Sequence, residues 1–242
     1  MRNYLIVDDN AAFAENLAEI VSDAGAAAMV ATSGERALEL VAAQRFDALV
    51  SDMRMPSMSG AQVVHRIRRL DPGLPALVVT AFTADNELEA ARQEGLIGVL
   101  PKPVPVPRLL ELLSRARRDG LVALVEDDVA LADNLTELLR DCGFAAVTAH
   151  NLVDTERLGV RPFCALVDLR LPGGPDGEAL RQLAVKFPGL PMVVITGHAN
   201  AVAVPAAVRV FHKPLETREL IGVVEALYKA AAESSATFKS VS

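Results

Sequence analysis

The sequence is poor in cysteine, has no long apolar run and carries no excess of positive charge, and each shortage closes off a class of function. Its two cysteines, Cys142 and Cys164, stand alone, which excludes a paired zinc site or a disulfide framework and leaves two reduced core thiols as the reading. No stretch approaches the roughly eighteen apolar residues that cross a bilayer. The N-terminal apolar stretch is cut short by Asp8 and Asp9, so it is not a signal peptide; no membrane partner and a cytoplasmic location are expected. The formal charge of −7 argues against a nucleic-acid surface, which shows a basic face. The local basic runs, His65-Arg66-Ile67-Arg68-Arg69 and Arg115-Ala116-Arg117-Arg118, read as solvated helix ends.

What is present is a chain written twice. Its 242 residues, 51% hydrophobic, suit one large or two ordinary domains. Tyr4-Leu5-Ile6-Val7-Asp8-Asp9-Asn10 aligns with Val122-Ala123-Leu124-Val125-Glu126-Asp127-Asp128 at an offset of 118. At that offset Phe13, Leu17, Ile20, Val21 and Gly25 fall on Leu131, Leu135, Leu138, Leu139 and Gly143. An amphipathic helix with a glycine past its end therefore follows each acidic pair, opened by a capping residue, Asn10 or Asp128. Phe46–Asp52 matches Phe163–Asp168, one residue shorter, and Leu74–Thr80 matches Leu190–Thr196. Each copy closes on Lys-Pro, at Lys102 and Lys213.

Short apolar runs alternate with helical patterns in each copy, the signature of parallel strands joined by crossover helices. In the first copy strands are expected near 4–8, 27–31, 48–52, 76–80 and 97–100, and helices near 11–24, 34–44, 60–69, 85–94 and 106–118. That pattern gives a doubly wound α/β domain over 1–119 and a second over 120–232, with a frayed tail at 233–242.

In open parallel sheets ligands gather outside the carboxyl ends of the strands, where every repeated polar residue falls. Asp8, Asp9, Asp52, Thr80 and Lys102 form the first set, and Glu126, Asp127, Asp168, Thr196 and Lys213 the second. Two adjacent acids at a strand end repel by roughly 4 kcal/mol at an intermediate dielectric. Water relieves that in an exposed turn; a bound cation relieves it in a pocket. Three carboxylates, a hydroxyl and an ammonium make a hard, oxygen-rich pocket that suits Mg²⁺, and a carboxylate beside Mg²⁺ can attack phosphorus to give an aspartyl phosphate. The acid-to-threonine spacing is 28 residues in both copies.

On these motifs both copies resemble receiver domains of two-component response regulators. The resemblance implies a flavodoxin-like five-stranded parallel sheet in the order 2-1-3-4-5 in each, an order the family itself illustrates. It implies Asp52 and Asp168 as phosphoacceptors, and Mg²⁺ held by Asp8, Asp9 and Asp52, or by Glu126, Asp127 and Asp168, with the backbone carbonyls of Arg54 and Arg170. Thr80 and Thr196 would bind the phosphoryl group, and Lys102 and Lys213 would pair with it. The donor would be phosphohistidine on a histidine kinase or a histidine phosphotransfer domain.

The copies depart from the family pattern at particular residues. Val99 and Val210 stand where many members carry an aromatic switch residue, with Phe211 beside the second. Thr196 to Lys213 spans 17 residues against 22 for Thr80 to Lys102, and the shortened stretch contains Pro205, so the fourth helix of the second domain should be shortened or absent. Phe82 and His198 lie two residues after each threonine, at the pocket mouth.

The function expected is a tandem-receiver regulator without an output domain. It would not be an enzyme beyond its own phosphorylation and dephosphorylation, and would signal through a downstream protein target, with a homodimer possible. A receiver portion of a hybrid histidine kinase is the alternative within signalling. An aspartyl-nucleophile phosphohydrolase is the alternative of another class; such enzymes need a second acid two residues after the nucleophile, where this chain has Arg54 and Arg170.

Overall fold

The structure, a computed structural model, describes residues 1–81, 86–197 and 207–239. The chain divides into two compact units. The first holds Met1–Asp119 and Arg140–Val147, and the second holds Gly120–Leu139 and the chain from Thr148 onward. Grouping follows contacts in space rather than chain order, so Arg140–Val147 falls to the first unit although the sequence repeat assigns it to the second copy.

In unit 1 the strands are β1 (Asn3–Val7), β2 (Ala27–Ala31), β3 (Ala48–Asp52), β4 (Ala76–Thr80) and β5 (Leu96–Pro101). They are all parallel and lie in the order β2-β1-β3-β4-β5. The helices are α1 (Ala11–Asp23), α2 (Gly34–Ala43), α3 (Gly60–Leu70), α4 (Asn86–Gln93) and α5 (Val106–Arg115). Every residue of β3 and β4 is buried, as a parallel sheet covered on both faces requires. Leu5 and Val7 share one core cluster with Leu40, Phe46, Val64 and Ile67. Tyr4 alternates to the other face, where its hydroxyl donates to the Leu113 carbonyl of α5 at 3.1 Å.

Unit 2 contains β6 (Leu121–Val125), β8 (Cys164–Asp168), β9 (Met192–Thr196) and β10 (Ala207–His212), parallel and in the order β10-β9-β8-β6. The helices α7 (Leu152–Arg157), α8 (Glu178–Lys186) and α9 (Thr217–Lys239) follow the same alternation. The helix α6 (Val129–Asp141) and the strand β7 (Ala145–Ala149) each straddle the division between the units.

Local sequence accounts for the helix starts nearest the strand tips. The Asn10 side chain accepts from Phe13 N at 3.1 Å and the Asp128 side chain from Leu131 N at 3.1 Å, as expected of N-caps. At α3 the chain turns back over the tip of β3, with Gly60 N donating to Met53 O at 2.8 Å. A Cβ on Gly60 would lie 2.3 Å from the Asp52 carbonyl oxygen, so this approach needs glycine.

Several readings are corrected by tertiary packing. Arg68 is only 3% exposed. Its guanidinium donates to the carbonyls of Glu94, Pro72, Leu74 and Gly95 at 2.5–3.0 Å, because it follows Val64 by one helical turn on the buried side of α3. Burial lowers this arginine to about 10, against the pull of Glu94 and Asp71. Arg118 lies beyond α5 and grips both oxygens of Asp71 at 2.7 Å. Neither arginine is a solvated helix end. Cys164 is a buried free thiol, raised by burial, but Cys142 is only half-buried. The segment expected to fray continues as α9 to Lys239, carried by Ala230-Ala231-Ala232-Glu233 with no glycine or proline to stop it. The fourth helix of the second copy, together with Phe82 and His198, lies outside the described residues.

Two glycine replacements should move stability in opposite directions. Gly60→Ala should lower it by about 1–3 kcal/mol, since the new methyl meets backbone atoms that cannot yield. Gly222→Ala, inside α9 with open space around it, should raise it by about 0.5–1 kcal/mol. Urea unfolding of both variants against the parent checks the pair, and a Gly60→Ala protein as stable as the parent would contradict the close approach.

Candidate functional site

Parallel strands that start together also end together, so the residues at their tips become neighbours. Asp8 follows β1, Asp52 ends β3, Thr80 ends β4 and Lys102 follows β5. Backbone bonds lock these tips in register. Asp8 N donates to Ala31 O at 3.2 Å, Met53 N to Val79 O at 2.9 Å and Lys102 N to Thr80 O at 2.9 Å.

The side chains then converge. Lys102 Nζ lies 2.8 Å from Asp8 Oδ2 and 3.0 Å from Asp52 Oδ1. Asp8, Asp52 and Thr80 are buried, while Asp9 is exposed. Asp8 Oδ1 also accepts from Asn10 N at 2.9 Å. Asp8, Asp9 and Asp52 each bring a carboxylate oxygen within 4.8 Å of the others. Phe13, one turn into α1, places its ring centroid 4.6 Å from Lys102 Nζ.

Unit 2 repeats the arrangement with a longer acid. Lys213 Nζ lies 2.8 Å from both Glu126 oxygens and 2.7 Å from Asp168 Oδ2. Glu126, Asp127 and Asp168 bring carboxylate oxygens within 4.8 Å of one another. Lys213 N donates to Thr196 O at 2.8 Å, and Glu126 N to Ala149 O at 3.0 Å. His150 Nδ1 sits 2.8 Å from the Glu126 carbonyl, so this histidine buttresses the acidic tip instead of lying loose on the surface.

Charge in these pockets is set by burial against the lysine. Burial raises Asp52; Lys102 opposes the rise, and Asp8 adds to it. Burial raises Glu126 too, again opposed by Lys213. Burial alone would lower Lys102 and Lys213, but each is held above the ordinary lysine value by its two carboxylates. The proton therefore stays on the lysine nitrogen, which sets a positive charge beside each strand-tip acid.

The expected site residues fall into two groups. Asp8, Asp52 and Lys102 meet directly, as do Glu126, Asp168 and Lys213, with Thr80 and Thr196 ending the adjacent strands and Asp9 and Asp127 at the exposed rims. Arg54 and Arg170 are exposed, each two residues beyond its strand-end acid. Arg170 N donates to Asp168 Oδ1 at 2.9 Å, and its guanidinium turns to Asp176 at 3.0 Å. Phe13 and His150 were not singled out as site residues by the sequence. The helix period and the cap at Asn10 placed Phe13 on α1, but only the three-dimensional return of β5 brings a lysine to its ring. Phe211 is buried, on the opposite face of β10 from Val210 by strand alternation.

A parallel α/β unit whose lysine is shared by acids at neighbouring strand tips is of the flavodoxin-like class, and comparison with known proteins makes the class specific. The family model for the response regulator receiver domain matches residues 4–114. A response regulator receiver protein of Anaeromyxobacter sp. (strain Fw109-5) is 59% identical over 230 residues, covering 95% of this chain and 96% of its own length. Response regulator MprA of Mycobacterium ulcerans (strain Agy99) is 38% identical over 144 residues, 60% of each chain. Among solved structures, chemotaxis protein CheY4 of Vibrio cholerae is 31% identical, with a TM-score of 0.45, covering 48% of this chain and 98% of its own. The chain belongs to the response regulator receiver family. Among the described residues no helix is long and apolar enough to cross a membrane.

Removing the central cation exposes the balance of charge. Lys102→Met should cost about 3 kcal/mol near neutral pH in Mg²⁺-free buffer, the low end for breaking a buried pair because the lysine side chain is 27% exposed. Lys102 holds back the rise that burial gives Asp52, so without it Asp52 binds its proton more tightly still in the folded chain. The penalty should therefore be small at acid pH and grow as pH rises through the titration of Asp52. Urea unfolding between about pH 4 and about pH 7 checks this, and a pH-independent deficit would refute it.

Proposed function

We propose that the chain is a response regulator with two phosphoacceptor units, in which Asp52 and Asp168 take phosphoryl groups from phosphohistidine on a histidine kinase or histidine phosphotransfer domain. The observation that carries this reading is the meeting of one ammonium with two strand-tip carboxylates, made twice: Lys102 with Asp8 and Asp52, and Lys213 with Glu126 and Asp168.

The donor set of each unit fits a hard divalent ion. Three carboxylate oxygens within 4.8 Å of one another, with nitrogen contributed only by a protonated lysine, suit Mg²⁺ and no soft metal. Asp8, Asp9 and Asp52 would hold the ion in unit 1, and Glu126, Asp127 and Asp168 in unit 2, with the carbonyls of Arg54 and Arg170 as further ligands. When bound, such an ion supplies positive charge at the acceptor oxygens.

The residues divide the work of transfer. A carboxylate oxygen of Asp52 forms the new O–P bond while the N–P bond of phosphohistidine breaks, and the electron pair returns to the imidazole, which takes a proton. Little covalent help is needed, because the transition state is loose and spreads charge over the phosphoryl oxygens. Lys102 answers that charge, and the Thr80 hydroxyl is placed at the next strand tip to donate to it. A phosphoryl group adds roughly 1.5 to 2 negative charges, enough to draw the threonine and lysine loops toward Asp52 and change the surface that a protein target meets. The signal then travels through protein contacts, and within these 242 residues the two units act as acceptors rather than as enzymes with a separate substrate. A homodimer and a place in a larger hybrid kinase are both compatible with this chemistry.

Two measurements test the proposal. With a small phosphodonor and Mg²⁺, the parent should take up two labile phosphates, Asp52→Asn and Asp168→Asn one each, and the double variant none. Rapid turnover of unrelated phosphomonoesters with no labile intermediate at either aspartate would favour the phosphohydrolase instead. Separately, millimolar Mg²⁺ should raise the melting temperature of the unphosphorylated chain, because a ligand bound by the folded state alone stabilises it. The rise should shrink in Asp8→Asn and again in Asp8→Asn with Glu126→Gln; an unchanged melting curve in the parent would count against the ion sites.

A further inference from the structure

The two pockets hold their lysines differently, and the difference traces to two positions. Both acidic tips lead into a helix through the same cap. Asp8 Oδ1 accepts from Asn10 N at 2.9 Å and Glu126 Oε1 from Asp128 N at 3.3 Å. The cap side chains then accept from Phe13 N and Leu131 N, both at 3.1 Å. The backbone path to the residue three beyond the cap is thus alike in both copies, but in unit 1 that residue carries a π face and in unit 2 it does not. The Phe13 centroid stands 4.6 Å from Lys102 Nζ, inside the range in which a ring quadrupole attracts a cation.

The acids compensate. Among the described residues Lys102 meets two carboxylate oxygens, one each from Asp8 and Asp52. Lys213 meets three, because Glu126, one methylene longer than aspartate, presents both of its oxygens beside that of Asp168. An ammonium has three N–H donors and no acceptor. The two Glu126 oxygens belong to one carboxylate and share one N–H, so Lys213, like Lys102, spends its donors on two acids. A ring attracts the whole charge and needs no N–H of its own.

We propose that Phe13 is a positioning residue for Lys102. Its ring keeps the ammonium between Asp8 and Asp52 without drawing on an N–H, so a donor stays available to an incoming phosphoryl oxygen. This rests on the phosphoacceptor reading given above, although the hold on the lysine does not.

The test uses the full chain with one acceptor silenced and Phe13 replaced by a residue of similar bulk without a π face. Phosphorylation of Asp52 is followed in the Asp168→Asn chain with Mg²⁺ and a small phosphodonor. Phe13→Leu should slow Asp52 about twofold to tenfold, the span set by a cation–π contact of ordinary strength, and Phe13→Trp should keep the parent rate. A second readout needs no phosphoryl transfer. In Mg²⁺-free buffer, the Lys102 ammonium, assigned by its loss in Lys102→Met, should give a slowly exchanging ¹⁵N signal in the parent and in Phe13→Trp that vanishes in Phe13→Leu, with all three chains equally folded by melting. A Phe13→Leu chain that keeps both the ammonium signal and the rate overturns the inference. A parent that takes no phosphoryl group at Asp52 would sink the phosphoacceptor reading alone, and the ammonium signal would then decide the role of Phe13.

Discussion

Each unit depends on a half-buried ammonium held between two carboxylates. Without it, Asp8 and Asp52 would be desolvated like charges at the ends of adjacent strands, a combination whose repulsion at intermediate dielectric runs to roughly 4 kcal/mol before desolvation is added. With it, the repulsion becomes an attraction, set against the cost of burial. Asp52 is raised by burial and held back by Lys102, while Lys102 is pressed down by burial and lifted past its ordinary value by the acids. The net positive charge still falls short of the three carboxylates in reach, counting Asp9. Three carboxylates to one ammonium, with oxygen donors and an open rim, are the kind of ligand set a hard divalent cation takes.

That constraint reaches back into the fold. The lysine can be shared only if β1, β3 and β5 end at the same level, which parallel pairing in register enforces through bonds such as Lys102 N to Thr80 O and Met53 N to Val79 O. It also requires the chain leaving β3 to clear the pocket at once. Gly60 accomplishes this by passing so near the Asp52 carbonyl that a Cβ has no room. The counterpart in unit 2, Gly177, donates its N–H to Leu169 O at 2.8 Å just as Gly60 does to Met53 O, with a positive φ of 78° that again suits glycine.

Much of this was legible in the sequence because it is encoded in short-range pattern. Strand tips show where an apolar run meets a polar residue, so Asp8, Asp52, Thr80 and Lys102 could be placed on one edge of the sheet once parallel strands were inferred. The caps at Asn10 and Asp128 were legible for the same reason, being read within one turn. What stayed hidden depends on partners far along the chain. Arg68 sits in a basic run that looks solvated, yet its four carbonyl partners lie around Pro72–Leu74 and Glu94–Gly95. Arg118 meets Asp71 from 47 residues away. The role of Phe13 was invisible because a cation–π contact leaves no mark on hydrophobic periodicity; the residue reads as one more apolar position of an amphipathic helix.

The repeat also shows why two copies of a site need not be two copies of a mechanism. Comparing Asp8 with Glu126 alone suggests a conservative change, and comparing Phe13 with Leu131 alone suggests another. Together they alter what surrounds the lysine. A longer acid without a ring binds the ammonium through directional hydrogen bonds that must be broken before it can turn to anything else. A shorter acid with a ring binds it partly through an attraction that is indifferent to where the N–H bonds point. At Lys102 that attraction adds to the hydrogen bonds to Asp8 and Asp52 and does not replace them, so the ammonium is held from one more side without spending a donor.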